Sequence, residues 1–541
     1  MSSVQMRQMK QTGREERGER LTALANWTVR IFGGAIFLFL TWYSFRYTQY
    51  MNPGGSEAPL NVRDSMSRNL LVLLFAAAAF TALFAAEERM GEKARQAVRK
   101  AVLAMAVVWI LAAGLWWITS AERMPEGDQA FIYGGASYFR EGRYLFLDKG
   151  GYCEMYPHQL GLIALVELLF VFVGTYNYFA FQLICVILAA AAALIGGCIV
   201  NEIDGHMSVS VIYCVCMMGC FPLIFYTSWV YGDIPSIFCA LLAAWMLLRY
   251  SRKRHWKYLA VCVAALTAGM LVRKNSLIFL VAFCLVSLVW AVRQGDRKII
   301  AAAGLTILLP ALLYAGIYKM YEVRSGFAHT GGLPTLSWIS MGLQEQNGKY
   351  GWYYDYPKAL YYEYDGNANA VEEVVKEDIE ERLQVFLSNP SYAWTFFREK
   401  ILSQWNEPLY QSLYFGTKYP ADHDSKESPL AQRVKEEYFT KILWICDRLQ
   451  FILYFGMLLY FLFAVKRDSN ILQHLLAAAI IGGFLFSILW EAKARYVMPY
   501  YISMFSLAAV GYFQTISQIT MLIGGRRKGK KDNITKFRRA A

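Results

Sequence analysis

The chain has 541 residues, with 54 lysines and arginines against 41 acidic residues and a formal net charge of +13. Hydrophobic residues make up 56% and charged residues only 18%, below the roughly 25% of an average soluble domain, and the mean hydropathy is +0.29. This composition excludes a disordered chain, a collagen and a small disulfide scaffold, and it predicts an integral membrane protein because one or two soluble cores could not bury so much apolar surface.

Thirteen apolar segments are candidates for the roughly 20-residue helix that a bilayer requires. They cover residues 27–47, 69–86, 101–119, 158–174, 177–200, 207–227, 233–249, 257–272, 276–292, 299–318, 441–465, 470–489 and 496–523. The first follows a charged N-terminus without a small-residue cleavage site, so we interpret it as a retained anchor.

Lysines and arginines in short loops predict which end faces the cytoplasm. The N-terminus and loop 87–100 are basic, which places them inside and loop 120–157 outside. If 158–174 crossed the bilayer, the basic loop 249–257 and the basic C-terminal tail would lie outside. We therefore predict an all-α polytopic membrane protein with about twelve transmembrane helices, cytoplasmic termini, and an interfacial or re-entrant helix at 158–174. The alternative is that hydropathy alone over-predicts a membrane helix at 158–174.

The spans divide the chain into five predicted parts. Residues 1–100 are a cytoplasmic N-terminus with two N-terminal spans, 101–320 a catalytic membrane module with first outer loop 120–157, 321–440 a mixed or mainly α extracytoplasmic insert, 441–524 the C-terminal spans, and 525–541 a basic cytoplasmic tail. The tail is suited to anionic lipid headgroups, and nucleic acid is not an expected partner.

Two carboxylates are candidates for catalysis, because ionisable groups beside membrane spans are costly and therefore functional candidates. Asp128 lies in the first outer loop, and Asp233 starts a span in the sequence Tyr231-Gly232-Asp233-Ile234-Pro235. A simple helix N-cap is the alternative role for Asp233.

Four cations are predicted on the outer face, where the positive-inside tendency should exclude them. Arg273, Lys274, Lys493 and Arg495 are candidates to bind an anion such as a phosphate. The alternative is internal salt bridging, with Glu491 pairing Arg495 at i,i+4.

Further polar and aromatic side chains are expected to line the substrate site. These are Tyr156, His158, Gln159, Tyr231, Glu491 and Tyr496. A lone histidine such as His158 is more often structural than catalytic. The aromatic clusters near 350–362 and 405–414 suit either sugar stacking or anchoring at the interface.

Outer carboxylates, cations and aromatic loops suit transfer of a sugar from a lipid-linked phosphate to an acceptor hydroxyl. A carboxylate would take the acceptor proton, and cations would stabilise charge on the phosphate. Partial desolvation is expected to raise the pKa of the carboxylate and make it a better base.

Several motifs resemble GT-C fold glycosyltransferases of glycosyltransferase family 39, which includes protein O-mannosyltransferases and the lipid A aminoarabinose transferase. They are Asp128–Tyr144, Tyr156–Gly161, Phe221–Ser236 and Ala492–Tyr496 before Pro499. The resemblance is best over 100–320. It implies a polyprenyl-phosphate-linked sugar donor, inversion at the anomeric carbon, Asp128 as base and juxtamembrane helices in the first outer loop.

The chain departs from this family pattern in three informative places. Gln129 stands where protein O-mannosyltransferases tend to carry Glu, which puts a protein acceptor in doubt. Two additional spans precede the helix leading to Asp128. No C-terminal soluble domain is expected after the last span, so acceptor recognition is expected from 320–440 and the outer loops.

We therefore predict a plasma-membrane glycosyltransferase that modifies a lipid, glycan or protein hydroxyl on the extracytoplasmic face. A transporter or flippase of lipid-linked sugars is the alternative, and it predicts repeated halves with charges near the midplane. A non-catalytic scaffold is the third. No cofactor is required by this scheme, although a divalent cation between Asp128 and Asp233 is an open alternative.

Overall fold

The computed structural model describes residues 3–53, 57–121, 125–328, 331–417 and 428–539, which are almost entirely helical. The first part comprises α1 (Ser3–Arg46), β1 (Tyr47–Tyr50), β2 (Leu60–Arg63), α2 (Met66–Arg89) and α3 (Glu92–Ser120). The central part comprises α4 (Asp128–Arg140), α5 (Tyr152–Met155), α6 (Leu160–Val173), α7 (Tyr178–Ile203), α8 (Met207–Met218), α9 (Phe221–Phe225), α10 (Asp233–Lys253), α11 (Trp256–Val272), α12 (Leu277–Gln294) and α13 (Arg297–Ser325).

The insert and the C-terminal part follow. The insert contains α14 (Leu336–Leu343), β3 (Glu345–Gln346), β4 (Lys349–Tyr350), α15 (Tyr356–Glu363), α16 (Ala368–Ser388), α17 (Pro390–Trp405), α18 (Ser412–Thr417) and α19 (Pro429–Lys435). The last helices are α20 (Phe439–Leu459), α21 (Leu475–Leu489) and α22 (Met498–Arg539). The strands form two short antiparallel hairpins, β1 with β2 and β3 with β4.

The chain is a multi-pass membrane protein. Among the described residues, nine helices are long and apolar enough to cross a bilayer, and the pair of α8 with the segment 221–228, bent by 54°, covers a further crossing. The shorter α11 and the first part of α22 also connect the two ends of the bundle. Gln514 of α22 donates to Asp204 at one end (2.9 Å), whereas Arg495, just before α22, contacts Asp128 at the other. By length and composition, nine to eleven crossings are supported for the described residues, so the predicted number of about twelve stays a prediction.

The α6 helix returns to the end of the bundle from which it starts. Its 14 residues extend about 21 Å, less than the roughly 30 Å of a hydrocarbon core, and a 101° bend separates residues 157–173 from 145–155. Gln159 at its start donates to Tyr231, and beyond its end the amide of Tyr176 donates to Ser137 Oγ (3.2 Å). These contacts agree with the interfacial or re-entrant helix predicted at 158–174.

The two ends of the bundle differ in their loops, because loops 87–100 and 249–257, which are rich in lysine and arginine, lie at the end away from Asp128. We call the end that holds Asp128 and Asp233 the site end, and the end that holds Arg99 and Arg249 the basic end. Lysine and arginine are enriched in the cytoplasmic loops of membrane proteins, so this difference predicts which end faces the cytoplasm.

The insert packs against the site end. Two of its helices, α16 and α17, are separated at Asn389-Pro390, where the Asn389 side chain accepts from the amide of Tyr392 (3.1 Å). Lys400 of α17 is buried and donates to the carbonyl of Ile488 (3.0 Å). The amide of Ala492 donates to the carbonyl of Gly351 (2.7 Å). The insert is thus attached to the loop between α21 and α22, which supplies several site residues.

Candidate functional site

Asp128 is the first residue of α4 and points into a cavity at the site end. Its side chain remains 42% exposed, and its Oδ2 lies 3.2 Å from Arg495 Nη2. The adjacent Gln129 is buried and accepts from the amide of Val230 through Oε1 (2.8 Å), which holds the start of α4 against the loop before α10.

Arg495 belongs to a short 3-10 turn, Ala494–Val497, between α21 and α22. Its backbone amide donates to Gln411 Oε1 (3.2 Å), and its guanidinium carbon lies 5.3 Å from the ring centre of Trp229. Cation–π contacts of a desolvated guanidinium are stabilising, so the aromatic rings fix the side chain that meets Asp128.

The charges around Asp128 lower the pKa of its carboxyl. Burial alone would raise it, but the positive charges of Arg495 and Lys493 and the hydrogen bond from Arg495 outweigh that effect. The expectation that desolvation raises the pKa of this carboxylate is therefore wrong, because two cations face it. Asp128 is ionised at neutral pH, the form that a proton acceptor needs.

Asp233 and Arg273 form a second, buried ion pair with a separation of 2.7 Å. Asp233 is the first helical residue of α10, and Gly232 occupies the N-cap position, so the predicted alternative of an Asp233 cap does not describe this helix start. A Cβ at Gly232 would lie 2.0 Å from the carbonyl oxygen of Val272, so glycine permits the close approach that brings the end of α11 beside Asp233. Neither Asp233 nor Arg273 lines the cavities described below.

Two tyrosine rings connect the two ion pairs. The guanidinium of Arg273 lies 5.5 Å from the Tyr231 ring centre and 5.6 Å from that of Tyr496. The guanidinium of Arg495 lies 5.3 Å from each of the same two rings. Asp128 and Asp233 therefore lie at the same end of the bundle, each paired with its own arginine, with an aromatic layer shared between the pairs.

Lys493 lies between two carboxylates rather than free in the site. Its Nζ is 3.5 Å from Glu491 Oε1 and 3.7 Å from Glu57 Oε1, and it lies over the ring of Tyr353. Burial lowers the pKa of Lys493, but the two carboxylates outweigh this effect and raise it. Glu491 also accepts from the Tyr496 hydroxyl (3.3 Å), so the contacts of Glu491 are with Lys493 and Tyr496 instead of the expected pairing with Arg495.

The cavity around Asp128, which we call the acid cavity, has a volume of about 270 Å³. It brings together Asp128, both cations of the 493–495 segment and every side chain predicted to line the substrate site. The lining set includes Tyr156, His158, Gln159, Tyr231, Glu491, Lys493, Arg495 and Tyr496. Cations and carboxylates are balanced in its wall, and tyrosines and tryptophan predominate, a composition suited to an uncharged hydroxylated molecule.

A second cavity of about 270 Å³, which we call the lysine cavity, adjoins the first. His158, Trp338 and Tyr496 line both cavities. Lys274 is exposed here, and within the described ranges no carboxylate forms an ion pair with it. Burial lowers the pKa of His158 to about 4, with a further contribution from Lys274, so the imidazole is neutral at pH 7. The lysine cavity thus presents one uncompensated cation.

Sequence reasoning missed the site residues that come from distant parts of the chain. The insert supplies Trp338, Tyr353, Asp355 and Lys358 to the acid cavity. Tyr353 lies in the aromatic cluster near 350–362, for which sugar stacking and anchoring at the interface are the two predicted alternatives. Glu57 and Gln411 support Lys493 and Arg495 from outside the cavity, and no local motif marks either one.

The carboxylates do not form a cradle for a shared metal ion. In the ranges that the structure describes, no three His, Cys, Asp or Glu side chains converge. Asp128 and Asp233 each face an arginine across an ion-pair distance, with the Tyr231 and Tyr496 rings between the pairs. The residues present therefore do not fit the divalent cation considered between Asp128 and Asp233.

Residues 158–315 match the family model described as dolichyl-phosphate-mannose-protein mannosyltransferase. The match runs from the start of α6 into α13 and includes Gln159, Tyr231, Asp233, Arg273 and Lys274. The resemblance to GT-C glycosyltransferases is therefore confirmed for this region, and the match supports a membrane glycosyltransferase. Asp128 and Arg495 lie outside the matched residues. No curated protein sequence matches the chain.

Proposed function

We propose that this protein transfers a sugar from a polyprenyl-phosphate-linked donor to an acceptor hydroxyl, with inversion at the anomeric carbon and with Asp128 as the base. One observation carries the proposal: an ionised carboxylate lines a balanced, aromatic cavity that shares three wall residues with a second cavity holding an uncompensated lysine. The family match supports the same class of donor, since its description names a dolichyl-phosphate sugar.

The donor phosphate is assigned to the lysine cavity. An ammonium group without a carboxylate partner favours a phosphate, and Lys274 is such a group. Arg273, also predicted to bind the phosphate, is committed to Asp233, and Lys493 is flanked by two acids. The proposed phosphate contact is therefore Lys274, whereas Arg495 lines the acid cavity and is paired with Asp128.

The acceptor is assigned to the acid cavity. The acceptor oxygen attacks the anomeric carbon while the bond from that carbon to the phosphate oxygen breaks, and the hydroxyl proton passes to Asp128. The products are the glycosylated acceptor and the polyprenyl phosphate. A carboxylate of lowered pKa is a weak base, but it suffices because the phosphate is a good leaving group and the attacking hydroxyl becomes more acidic as the new bond forms.

Arg495 has two roles in this scheme. It keeps Asp128 ionised before reaction, and it stabilises negative charge near the bond that breaks. Asp233 does not reach the acid cavity, so we assign it a positioning role: it holds Arg273, whose guanidinium packs against Tyr231 and Tyr496. Those rings line the acid cavity.

The site end is proposed to face away from the cytoplasm at the plasma membrane, because the opposite end carries the basic loops. Replacing Lys149 by cysteine in the first loop and Lys298 by cysteine at the basic end tests this orientation. In intact cells, a membrane-impermeant maleimide is expected to label Lys149→Cys and not Lys298→Cys. Labelling only of Lys298→Cys would invert the proposed topology.

The function is tested with purified protein in detergent, where a transferase forms product and a flippase forms none. A panel of polyprenyl-phosphate sugars, beginning with the mannose derivative, is combined with lipid, glycan and peptide acceptors. Wild-type protein is expected to transfer one of these sugars, and Asp128→Asn is expected to abolish transfer while retaining donor binding. Asp355→Asn is the matched control, because Asp355 lines the same cavity and is bonded to the Tyr353 hydroxyl (2.9 Å). Equal losses in both variants would contradict the assigned base.

A further inference from the structure

A third cavity lies at the basic end of the bundle, far from the two cavities of the site end. It has a volume of about 270 Å³, the same as each of them. Four helices form its wall, and they contribute residues of α3, α7, α8 and α10: Arg99, Lys100, Leu103, Gly197, Cys198, Asn201, Glu202, Ser210, Cys214, Trp245 and Arg249. The proposed transfer reaction uses none of these residues.

The outer part of this cavity has an excess of positive charge. Its one acid, Glu202, is compensated twice, by Arg249 (Nη1 to Oε1, 3.0 Å) and by Arg252 (Nη1 to Oε2, 3.1 Å). Arg99 donates through Nη1 to the carbonyl of Gly205 (2.7 Å), which orients the guanidinium without neutralising it. Lys100 is exposed, and no carboxylate pairs with it in the described part of the chain. Two positive charges therefore remain uncompensated at the cavity mouth.

Neighbouring acids do not supply the missing negative charge. Glu87 accepts the amides of Met207 (2.8 Å) and Ser208 (2.9 Å) at the start of α8. Asp204 accepts from Gln514 (2.9 Å) on α22. Both carboxylates and Glu92, which accepts from Gln96 (2.8 Å), line a neighbouring cavity that Arg99 also lines, but in the described ranges none of the three forms an ion pair with Arg99 or Lys100.

The inner part of the cavity is apolar and lies beside the bilayer. Leu103, Gly197 and Cys214 line it, and a Cβ on Gly197 would approach Leu103 Cδ1 to 2.5 Å, so α3 and α7 close its deep end. The bundle is open to the bilayer next to this cavity, since Leu194, one turn of α7 from Cys198, is 44% exposed. In a membrane this side chain contacts lipid, so a ligand can enter with its polar end at the cations and its apolar end along α7.

We infer that this cavity binds the headgroup of an anionic phospholipid, with the phosphate held by Arg99 and Lys100. Basic pockets between transmembrane helices near the cytoplasmic surface bind anionic headgroups, and the leaflet facing a basic end is rich in such lipids. The apolar inner wall favours a lipid over a free phosphate, which would leave that wall without a partner. The bound lipid would join α3, which leads to Asp128, to α10, which begins at Asp233.

The test measures lipid binding and needs no enzymatic activity, so it is independent of the proposed transfer reaction. The purified full-length chain is delipidated in nonionic detergent and reconstituted in nanodiscs of phosphatidylglycerol or of phosphatidylcholine. Phosphatidylglycerol is expected to raise the melting temperature above that in phosphatidylcholine, and native mass spectrometry is expected to show a retained phosphatidylglycerol. Inorganic phosphate added to the phosphatidylcholine sample should have no effect; the same stabilisation by inorganic phosphate would overturn the lipid assignment.

Two substitutions separate the cavity from general surface charge. Arg99→Gln with Lys100→Gln is expected to weaken phosphatidylglycerol retention about fivefold for each cation removed. Arg297→Gln with Lys298→Gln is the matched control, because this adjacent pair starts α13 at the same end of the bundle and does not line the cavity. The double variant also loses the contact of Arg99 with Gly205, which could prevent folding. Lys100→Gln alone, at an exposed position, then tests the same cavity. Equal weakening in the control, or full retention in Lys100→Gln, would overturn the inference.

Discussion

Arg495 Nη2 lies 3.2 Å from Asp128 Oδ2, although 367 positions separate the two residues in the sequence. Asp128 follows α3, and Arg495 precedes α22, so the contact depends on the packing of the whole bundle. It brings a carboxylate and its counter-ion to the wall of the acid cavity, and it determines the ionisation of the proposed base.

Replacing Arg495 is expected to change the pH dependence of transfer. Burial raises the pKa of Asp128, and Arg495 opposes this, so Arg495→Gln raises that pKa. The reaction needs the ionised carboxylate, so activity falls as the pH decreases through the pKa of Asp128. In Arg495→Gln this fall is expected at a higher pH than in the wild type. The measurement is kcat/KM against pH, with Arg495→Lys as the control that keeps a positive charge. If kcat/KM of Arg495→Gln falls at the same acidic pH as that of the wild type, Arg495 does not set the pKa of Asp128.

Breaking the buried pair of Asp233 and Arg273 is expected to destabilise the fold. Removal of one partner leaves an uncompensated buried charge, which costs about 3–5 kcal/mol. Asp233→Asn and Arg273→Gln should each lower the melting temperature, and the double variant should lose less than the sum of the two. The exposed pair of Lys149 and Asp365, with side chains 60% and 90% exposed, is the control. Lys149→Gln is expected to change stability by less than about 1 kcal/mol. Equal effects at the two pairs would exclude a structural role for Asp233.

Lys274 is expected to act on the donor and not on the acceptor. Loss of a charged contact to phosphate in Lys274→Gln should raise the KM for the polyprenyl-phosphate sugar about tenfold. Lys274→Arg should recover part of this loss. Lys358→Gln is the matched control, because Lys358 lines the acid cavity instead of the lysine cavity. An unchanged donor KM in Lys274→Gln would contradict the assignment of the donor phosphate to the lysine cavity.

The hairpin between the two extra N-terminal spans contributes Glu57 to the support of Lys493. Glu57 Oε1 accepts from Gln411 Nε2 (2.8 Å), and the side-chain oxygen of the same Gln411 accepts the amide of Arg495 (3.2 Å). Gln411 has a φ of 60° and follows Tyr410 with a φ of 50°, a strained pair for non-glycine residues. Glu407 stabilises this backbone conformation because its carboxylate accepts a hydrogen bond from the amide of Gln411 (2.6 Å). The hairpin is thus connected to the cationic loop of the site.

Glu57→Gln is therefore expected to change the reactivity of Lys493. Removing the negative charge lowers the pKa of Lys493, so an amine-directed reagent should modify Lys493 faster at a given pH, as measured by peptide mass spectrometry. Transfer activity should fall, and Glu57→Asp should recover both properties in part. Glu372→Gln, on the exposed face of α16, is the control. Unchanged Lys493 reactivity in Glu57→Gln would exclude this positioning role.

Sidedness and local motifs predicted much of the site. The parity of basic loops required the segment 158–174 not to cross, and α6 begins and ends at the site end. The same sidedness grouped Asp128, Lys493 and Arg495, and all three line the acid cavity. Membrane insertion limits each loop to one of two faces, which is why sidedness could group these residues without knowledge of their contacts.

Which charges pair could not be predicted in this way. Arg273 and Lys274 are adjacent, yet the first is buried against Asp233 and the second is exposed in the lysine cavity. The lowered pKa of Asp128 also depends on Arg495 and Lys493, which are distant in sequence. Pair distances and local dielectric follow from the packing of helices, and no spacing within one segment specifies them.

The central claim is that Asp128 removes the proton of the acceptor hydroxyl, and Asp128→Ala with two nucleophiles tests it most directly. Azide carries no proton, so it needs no base to attack the anomeric carbon. The account predicts that Asp128→Ala lowers transfer to a hydroxyl acceptor by about 10²- to 10⁴-fold. It also predicts that the same variant with azide releases polyprenyl phosphate and a glycosyl azide of inverted configuration. Hydroxyl transfer by Asp128→Ala at the wild-type rate, or a loss that azide does not relieve, would contradict it.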